Sequence, residues 1–231
     1  MIYAFPPTLN RQRDPRWAGV PLGDNAPGSP YTLGGYGCLL TCIANVVGST
    51  PPALNNYGLA NGLFYGGGNA VTFDPQRWMP GSAYTLGYVS ERYRDTAFPQ
   101  AEILRLRSHL QRVGPAILEV LWPRTRGQHF VLAVGAPTTD PTGEHDRESI
   151  LIHDPERQGQ IEELSAFYGS PPEFPLVRAV FMVPATTGSR WAAPGPSKVE
   201  WTTYGARFTL PETATSDTNP EQLLTDNGGE A

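Results

Sequence analysis

The chain has 231 residues and a formal net charge of −5. That length allows one domain with a sizeable core, and the apolar fraction of 39% is typical of a soluble globular protein. The basic residues form no stripe and no apolar run reaches the roughly 20 residues of a membrane span, so we predict neither a nucleic-acid nor a membrane partner. Without a signal-peptide core at its start, we expect a cytoplasmic location, unless the protein leaves by lysis or is carried in a virus particle.

The first part of the chain predicts loops followed by helices. Residues 1–36 contain six prolines and are expected to be irregular. A glycine turn at 34–37 leads into residues 38–47, an apolar run closed by Gly48, and this pattern predicts a buried helix. Residues 49–52 are typical of the start of a second helix, because proline is favoured at the first helical position.

The later part of the chain predicts one more helix and then strands. Apolar residues at helical spacing predict a helix over 101–113. Runs rich in valine, isoleucine and aromatic residues predict strands at 116–122, 129–135, 149–154 and 176–183. This order favours an α+β fold with a mostly antiparallel sheet. We expect one domain over residues 1–210 and a flexible acidic tail over 211–231.

The two cysteines, Cys38 and Cys42, are too few for a disulfide framework. Nucleophilic chemistry needs a thiolate, and the N-terminus of a helix favours negative charge. Cys38 begins the predicted helix after a glycine turn, whereas Cys42 lies one turn further in and is expected in the core. The alternative for Cys38 is a small buried apolar residue, as most free cysteines are.

His129 and Asp154 stand at the outer ends of two predicted strands that flank a polar loop. If these strands pair as an antiparallel hairpin, both residues lie at the same end of the sheet, where opposite Cβ atoms are roughly 4.5–5.5 Å apart. A carboxylate there would hold the imidazole and support its charged form. The alternative is that His129 caps a strand and Asp154 begins a turn.

The remaining histidines give weaker signals. His109 lies beside the apolar stripe of the helix and is expected on the surface, His145 lies in a polar loop, and His153 points to the face opposite Asp154. A metal site from His129, His153 and Asp154 is a minor alternative, because neither H-E-x-x-H nor C-x-x-C is present. We therefore predict no cofactor. The absence of G-x-S-x-G disfavours a serine hydrolase.

Three segments together resemble the peptidase C39-like family of papain-fold cysteine peptidases. Residues 12–17, Gln-Arg-Asp-Pro-Arg-Trp, followed by Leu-Gly at 22–23, resemble its N-terminal motif. Residues 36–41, Tyr-Gly-Cys-Leu-Leu-Thr, resemble its nucleophile motif. Residues 127–135, with His-Phe-Val, and residues 152–155, which end in Asp-Pro, resemble its two strand motifs. The resemblance covers roughly residues 8 to 183.

The resemblance implies a papain-like fold and a catalytic triad of Cys38, His129 and Asp154. It also implies that the side chain of Gln12, with the backbone N–H of Cys38, stabilises the oxyanion; such a donor is worth roughly 3 kcal/mol. Leu39 departs from the pattern, since many relatives have glycine after the cysteine.

Three functions follow as hypotheses. The first is a cysteine hydrolase of peptide or isopeptide bonds, with a leader peptide or a cell-wall peptide as substrate. The second is a non-catalytic structural or binding module on a peptidase scaffold, such as a component of a phage particle or tail. The third is acyl transfer or amidase chemistry with the same triad. The aromatic residues between 57 and 80 are expected either to line a cleft or to cover the core.

Overall fold

A computed structural model of the protein describes residues 9–65, 68–70, 72–94, 96–122, 127–136, 150–157, 161–165 and 176–185, with the backbone of 199–202 and 205–208. Contacts divide the chain into two units, Met1–Ala185 and Thr186–Ala231. The boundary predicted after residue 210 falls inside the second unit. The predicted tail, residues 211–231, lies outside the described residues.

The described part of the first unit contains five helices. They are α1 (Leu33–Tyr36), α2 (Cys38–Val47), α3 (Pro51–Ala60), α4 (Pro75–Trp78) and α5 (Gln100–Arg112). The prediction of α2 is confirmed at both ends, and Gly48 follows it in the left-handed conformation, with φ of 71°. The predicted glycine turn before Cys38 is the short helix α1, because Thr32 caps it with its side chain and accepts from Gly35 N.

Six described strands form one sheet in the order β3-β8-β4-β5-β6-β7. They are β3 (Tyr84–Val89), β4 (Ala116–Leu121), β5 (Gln128–Gly135), β6 (Leu151–His153), β7 (Ile161–Glu163) and β8 (Leu176–Pro184). All five pairings are antiparallel, so the α+β class with an antiparallel sheet is confirmed. The sequence did not predict β3 and β7.

Two further hairpins lie outside this sheet. The strands β1 (Phe64–Tyr65) and β2 (Asn69–Ala70) pair in the first unit. The strands β9 (Val199–Thr202) and β10 (Gly205–Phe208) pair in the second unit.

The core joins the long helices to the middle of the sheet. Ile103, Leu106 and Leu110, on one stripe of α5, are fully buried in one cluster with Val131 of β5 and Ile152 of β6. Helix α2 packs against β5, and the Cys42 thiol of α2 donates a hydrogen bond of 3.6 Å to the carbonyl of Phe130. This packing brings the N-terminus of α2 to the end of β5 that carries His129.

Candidate active site

Cys38 occupies the N-terminus of α2, and its side chain is partly exposed. The preceding residue, Gly37, is the N-cap and offers no side chain to the first-turn N–H groups. A Cβ at Gly37 would lie 2.5 Å from the carbonyl oxygen of Leu33, so the close approach of the backbone requires glycine here. The end of the helix is therefore left open to an anion at Cys38.

Cys42 has the opposite environment one turn further along α2. It is fully buried, and burial raises the pKa of its thiol well above the ordinary value. The prediction that Cys42 belongs to the core is confirmed.

His129 and Asp154 form a buried pair. His129 Nε2 donates to Asp154 Oδ1 over 2.9 Å, and Asp154 Oδ1 also accepts from the backbone N–H of Glu156 at 2.9 Å. The prediction that they meet at one end of a hairpin is confirmed, but they do not stand directly opposite. Leu132 pairs with His153, so the register places Asp154 diagonally across from His129, a spacing that an imidazole can bridge.

The electrostatics of this pair favour the charged imidazole. Burial opposes the charge of His129, but hydrogen bonds to Asp154 and to Cys38 outweigh it and raise the pKa of His129 to about 10. Because Asp154 occupies Nε2, the other ring nitrogen is the one that serves the Cys38 thiol. The Cys38 thiol thus adjoins the imidazole of His129, which bonds the carboxylate of Asp154, and we call these three side chains the Cys38 series.

Trp122 shields this series. It follows β4, and its ring meets the His129 ring nearly perpendicularly, with centroids 4.9 Å apart and an angle of 83°. Its backbone N–H donates to Gly127 O at 2.7 Å, which fixes the indole beside the start of β5. An apolar ring there limits the access of water to the imidazole. The sequence did not predict this role, because it depends on the β4–β5 register, which places Trp122 diagonally across from His129.

Gln12 lies at the same site and connects helix α1 to the segment that follows Asp154. Its backbone N–H donates to Pro155 O at 2.8 Å, and its side-chain Nε2 donates to Gly34 O at 3.2 Å. The residue is 2% exposed, and its Oε1 has no hydrogen-bond partner among the described residues. Gln12 borders the same cleft as Cys38 and His129, so the structure brings all four predicted site residues together.

The rest of the N-terminal motif holds Gln12 in place. Asp14 accepts two side-chain hydrogen bonds from Arg16, which lowers the pKa of Asp14 to about 2. Trp17 is buried, and its Nε1 donates to Arg11 O at 2.9 Å. Asp14 and Trp17 therefore shape the turn after Gln12, and their side chains do not border the cleft.

A second anchor lies just before Gln12. The backbone N–H of Asn10 donates to Asn45 Oδ1 of α2 at 2.7 Å, and Asn10 O accepts from His153 Nε2 of β6 at 2.9 Å. We call residues 10–12 the N-terminal strap. The strap ties the helix that carries Cys38 to β6, the strand that immediately precedes Asp154.

A buried ionic cluster supports the start of β5. Glu119 is fully buried, and its carboxylate accepts from Arg92 Nε at 2.9 Å and from Gln128 Nε2 at 3.0 Å. Arg178 Nη2 lies 2.7 Å from the other oxygen of Glu119. Gln128 immediately precedes His129, so this cluster fixes the backbone that positions the imidazole.

The cleft has a volume of about 540 Å³. Its sheet side includes Trp122, Gln128, His129 and Glu156, and its helical side includes Tyr31, Tyr36, Leu39 and Phe64. Of the aromatic residues singled out between 57 and 80, only Phe64 borders it; Phe73 and Trp78 are buried, and Tyr57 and Tyr65 lie outside the lining. Leu39, the residue that departs from the family pattern, lines the cleft beside Cys38.

The other histidines do not join the site. His153 is buried and bonded to Asn10, on the face away from Asp154 as predicted. The prediction of a surface position for His109 is wrong, because it packs between α5 and the sheet, against the ring of Phe181 and the carbonyl of Pro115. His145 lies outside the described residues. Within the described ranges, no group of three potential ligands could hold a metal ion.

Comparison with protein-family models, with curated proteins and with solved structures gave no match. Among the helices of the described residues, none combines the length and the apolar character needed to cross a bilayer. A function for this chain must therefore be inferred from the geometry around Cys38.

Proposed function

We propose that this protein is a papain-like cysteine hydrolase, similar to the peptidase C39-like family, that cleaves peptide or isopeptide bonds in cell-wall or leader peptides. One observation carries the proposal. A partly exposed thiol at an uncapped helix N-terminus adjoins an imidazole whose other nitrogen bonds a buried carboxylate. This arrangement supplies a nucleophile, a base and an orienting acid in one cleft.

The ionisation of the pair favours nucleophilic attack. The raised pKa of His129 means that the imidazole holds a proton at neutral pH and presents a positive charge beside the Cys38 thiol. A thiolate formed there is stabilised by the imidazolium and by the open end of α2. Cys42, which lacks both supports, stays a thiol.

The reaction proceeds in two steps. The Cys38 thiolate attacks the carbonyl carbon, the carbon–nitrogen bond breaks, and His129 gives its proton to the leaving amine. Water then attacks the thioester while His129 takes up a proton, and the carboxylic acid is released as the thiolate–imidazolium pair reforms. Asp154 keeps the ring orientation and the tautomer through both steps.

The oxyanion formed in each step needs hydrogen-bond donors. The backbone N–H of Cys38 belongs to the uncapped first turn of α2, and Gln12 borders the cleft on the same side. Nε2 of Gln12 has two hydrogens, and one of them is used on Gly34 O. The second is the donor that we assign to the oxyanion.

Alkylation of the thiol tests the proposal. We expect iodoacetamide at pH 6 to modify Cys38 roughly 10–100-fold faster than free cysteine, because an ion-paired thiol is ionised where an ordinary thiol is protonated. His129→Ala should abolish that advantage. Intact-mass measurement of the Cys38→Ala protein, which keeps Cys42, serves as the matched control and should show no rapid label.

Substrate turnover provides the second arm. Purified cell wall and a peptide library, incubated with wild type and with Cys38→Ala, should give new amino termini only with wild type. An ordinary alkylation rate that His129→Ala leaves unchanged would exclude the hydrolase and favour a non-catalytic binding module on a peptidase scaffold.

A further inference from the structure

Two exposed tyrosines stand on the helical side of the cleft. Tyr31 and Tyr36 are 45% and 55% exposed, and their ring centroids are 4.8 Å apart. Both rings border the cleft that holds Cys38. Single exposed apolar residues are common on protein surfaces, but a contiguous aromatic surface at a cleft is typical of a binding site.

The backbone beneath the two rings is held by hydrogen bonds and by packing. Leu22 N donates to Tyr31 O at 3.0 Å, and Tyr36 N donates to Thr32 O at 2.8 Å. Between them, Leu33 is fully buried and anchors the short helix α1. The backbone that carries the rings is therefore fixed before any ligand binds, which reduces the entropic cost of binding.

The surroundings of the rings are apolar. Leu22, Leu39 and Phe64 continue the same side of the cleft. Among the described lining residues, the one carboxylate is that of Glu156, which lies beside Asp154 on the opposite side and pairs with Arg13. Among the lining residues that the structure describes, a charged substrate side chain would find no counter-charge next to the tyrosines.

We propose that Tyr31 and Tyr36 form a subsite for a large apolar side chain, aliphatic or aromatic, of a peptide substrate. This inference rests on the proposed function, because it takes Cys38 as the point of attack. Tyr36 is two residues from Cys38, and an extended peptide advances about 3.3–3.6 Å per residue. The side chain that contacts the rings therefore belongs to a residue within about two positions of the scissile bond.

Matched peptides test this subsite. The peptides differ at one position near the scissile bond, which carries phenylalanine, leucine, alanine or lysine. We expect wild type to prefer phenylalanine or leucine over alanine about tenfold in kcat/KM, as a filled apolar pocket commonly gives. Tyr31→Ser with Tyr36→Ser should reduce this preference below about threefold, and Tyr31→Phe with Tyr36→Phe should keep it. Tyr65→Ser is the control, since Tyr65 is 58% exposed and does not border the cleft.

Binding of the same peptides to the Cys38→Ala protein, measured by fluorescence anisotropy, tests the subsite independently of turnover. A preference for apolar peptides that the double serine variant loses supports the subsite, even if wild type hydrolyses nothing and the proposed function fails. An unchanged preference in the double variant would overturn the subsite while leaving the hydrolase intact. Tyrosine-dependent binding of N-acetylglucosamine oligomers but not of peptides would also overturn it, in favour of a glycan.

Discussion

Two buried histidines on neighbouring strands have opposite protonation behaviour. His129 at the start of β5 bonds the carboxylate of Asp154 and adjoins the Cys38 thiol, and its pKa is raised to about 10. His153 at the end of β6 bonds the carbonyl of Asn10, and burial lowers its pKa. Burial disfavours the charge in both cases, so the partner decides the outcome. An ionised partner outweighs desolvation, whereas a neutral carbonyl does not.

The largest difference between His129 and His153 should appear in the activity of variants at these two positions. We expect His129→Gln to reduce kcat/KM by roughly 10³-fold, because it removes the base that activates the thiol. His153→Gln should change kcat/KM less than about fivefold, since a structural histidine only supports the fold. Steady-state kinetics on the best peptide, with circular dichroism to verify folding, would compare them. Equal losses in the two variants would contradict the distinction.

Removal of the carboxylate should make His129 resemble His153. In Asp154→Asn the charge that supports the imidazolium is gone, so the pKa of His129 should fall and kcat should drop by roughly 10²–10³-fold. NMR titration of the imidazole would follow the pKa, and the pH profile of alkylation would follow the thiolate. A His129 pKa that stays raised in Asp154→Asn would assign the shift to Cys38 instead.

The role proposed for Gln12 allows stabilisation of the oxyanion to be measured separately from activation of the thiol. We expect Gln12→Ala to lower kcat by about 10²-fold, the usual effect of losing one oxyanion donor. Alkylation by iodoacetamide forms no oxyanion, so its rate should stay near that of wild type. A parallel loss of both rates would show that Gln12 acts only by holding the helix and the sheet together.

The smallest effect concerns stability towards acid. Burial lowers the pKa of His109 to about 4, so His109 stabilises the fold above its unfolded pKa near 6.5, and this contribution is lost as the pH falls towards 4. His129 has the opposite sign: its contribution is complete below about pH 6.5 and is lost as the pH rises towards 10. We expect His109 to lower the free energy of unfolding by about 2 kcal/mol when the pH falls from 7 to 5. Urea unfolding of wild type and His109→Gln at pH 7 and pH 5 would measure this loss of unfolding free energy. An equal loss in the two proteins would show that His109 does not cause it.

Local patterns predicted the elements whose signals lie within one segment. The apolar run of α2 and the valine-rich strands were found near their observed bounds. Strand β3 was missed because it contains Gly87 and is half-buried throughout, and its pairing with β8 depends on residues far along the chain. The diagonal placement of His129 and Asp154 was missed because it depends on the β5–β6 register, in which Leu132 pairs with His153, and no local pattern reveals that register.

The site was predictable as far as each residue carries its own signal. Cys38 follows a glycine and opens a helix, and His129 and Asp154 stand at the ends of two predicted strands. The environment of Glu119 was not predictable, because its partners Arg92 and Arg178 come from distant segments. The misplacement of His109 has the same origin: it lies at the edge of the stripe of α5, and it is covered by Phe181 and Pro115, which come from distant segments.

The N-terminal strap has a consequence for how this protein acquires its structure. The bond between Asn10 and His153 closes a loop of 143 residues in sequence, and Gln12 meets Pro155 over a similar separation. Closing such loops is slow, because chain entropy is lost before the favourable free energy of the contact offsets that loss. Nascent chains that have not yet emerged through Pro155 therefore lack a complete cleft, which delays any chemistry at Cys38 until most of the first unit has been synthesised.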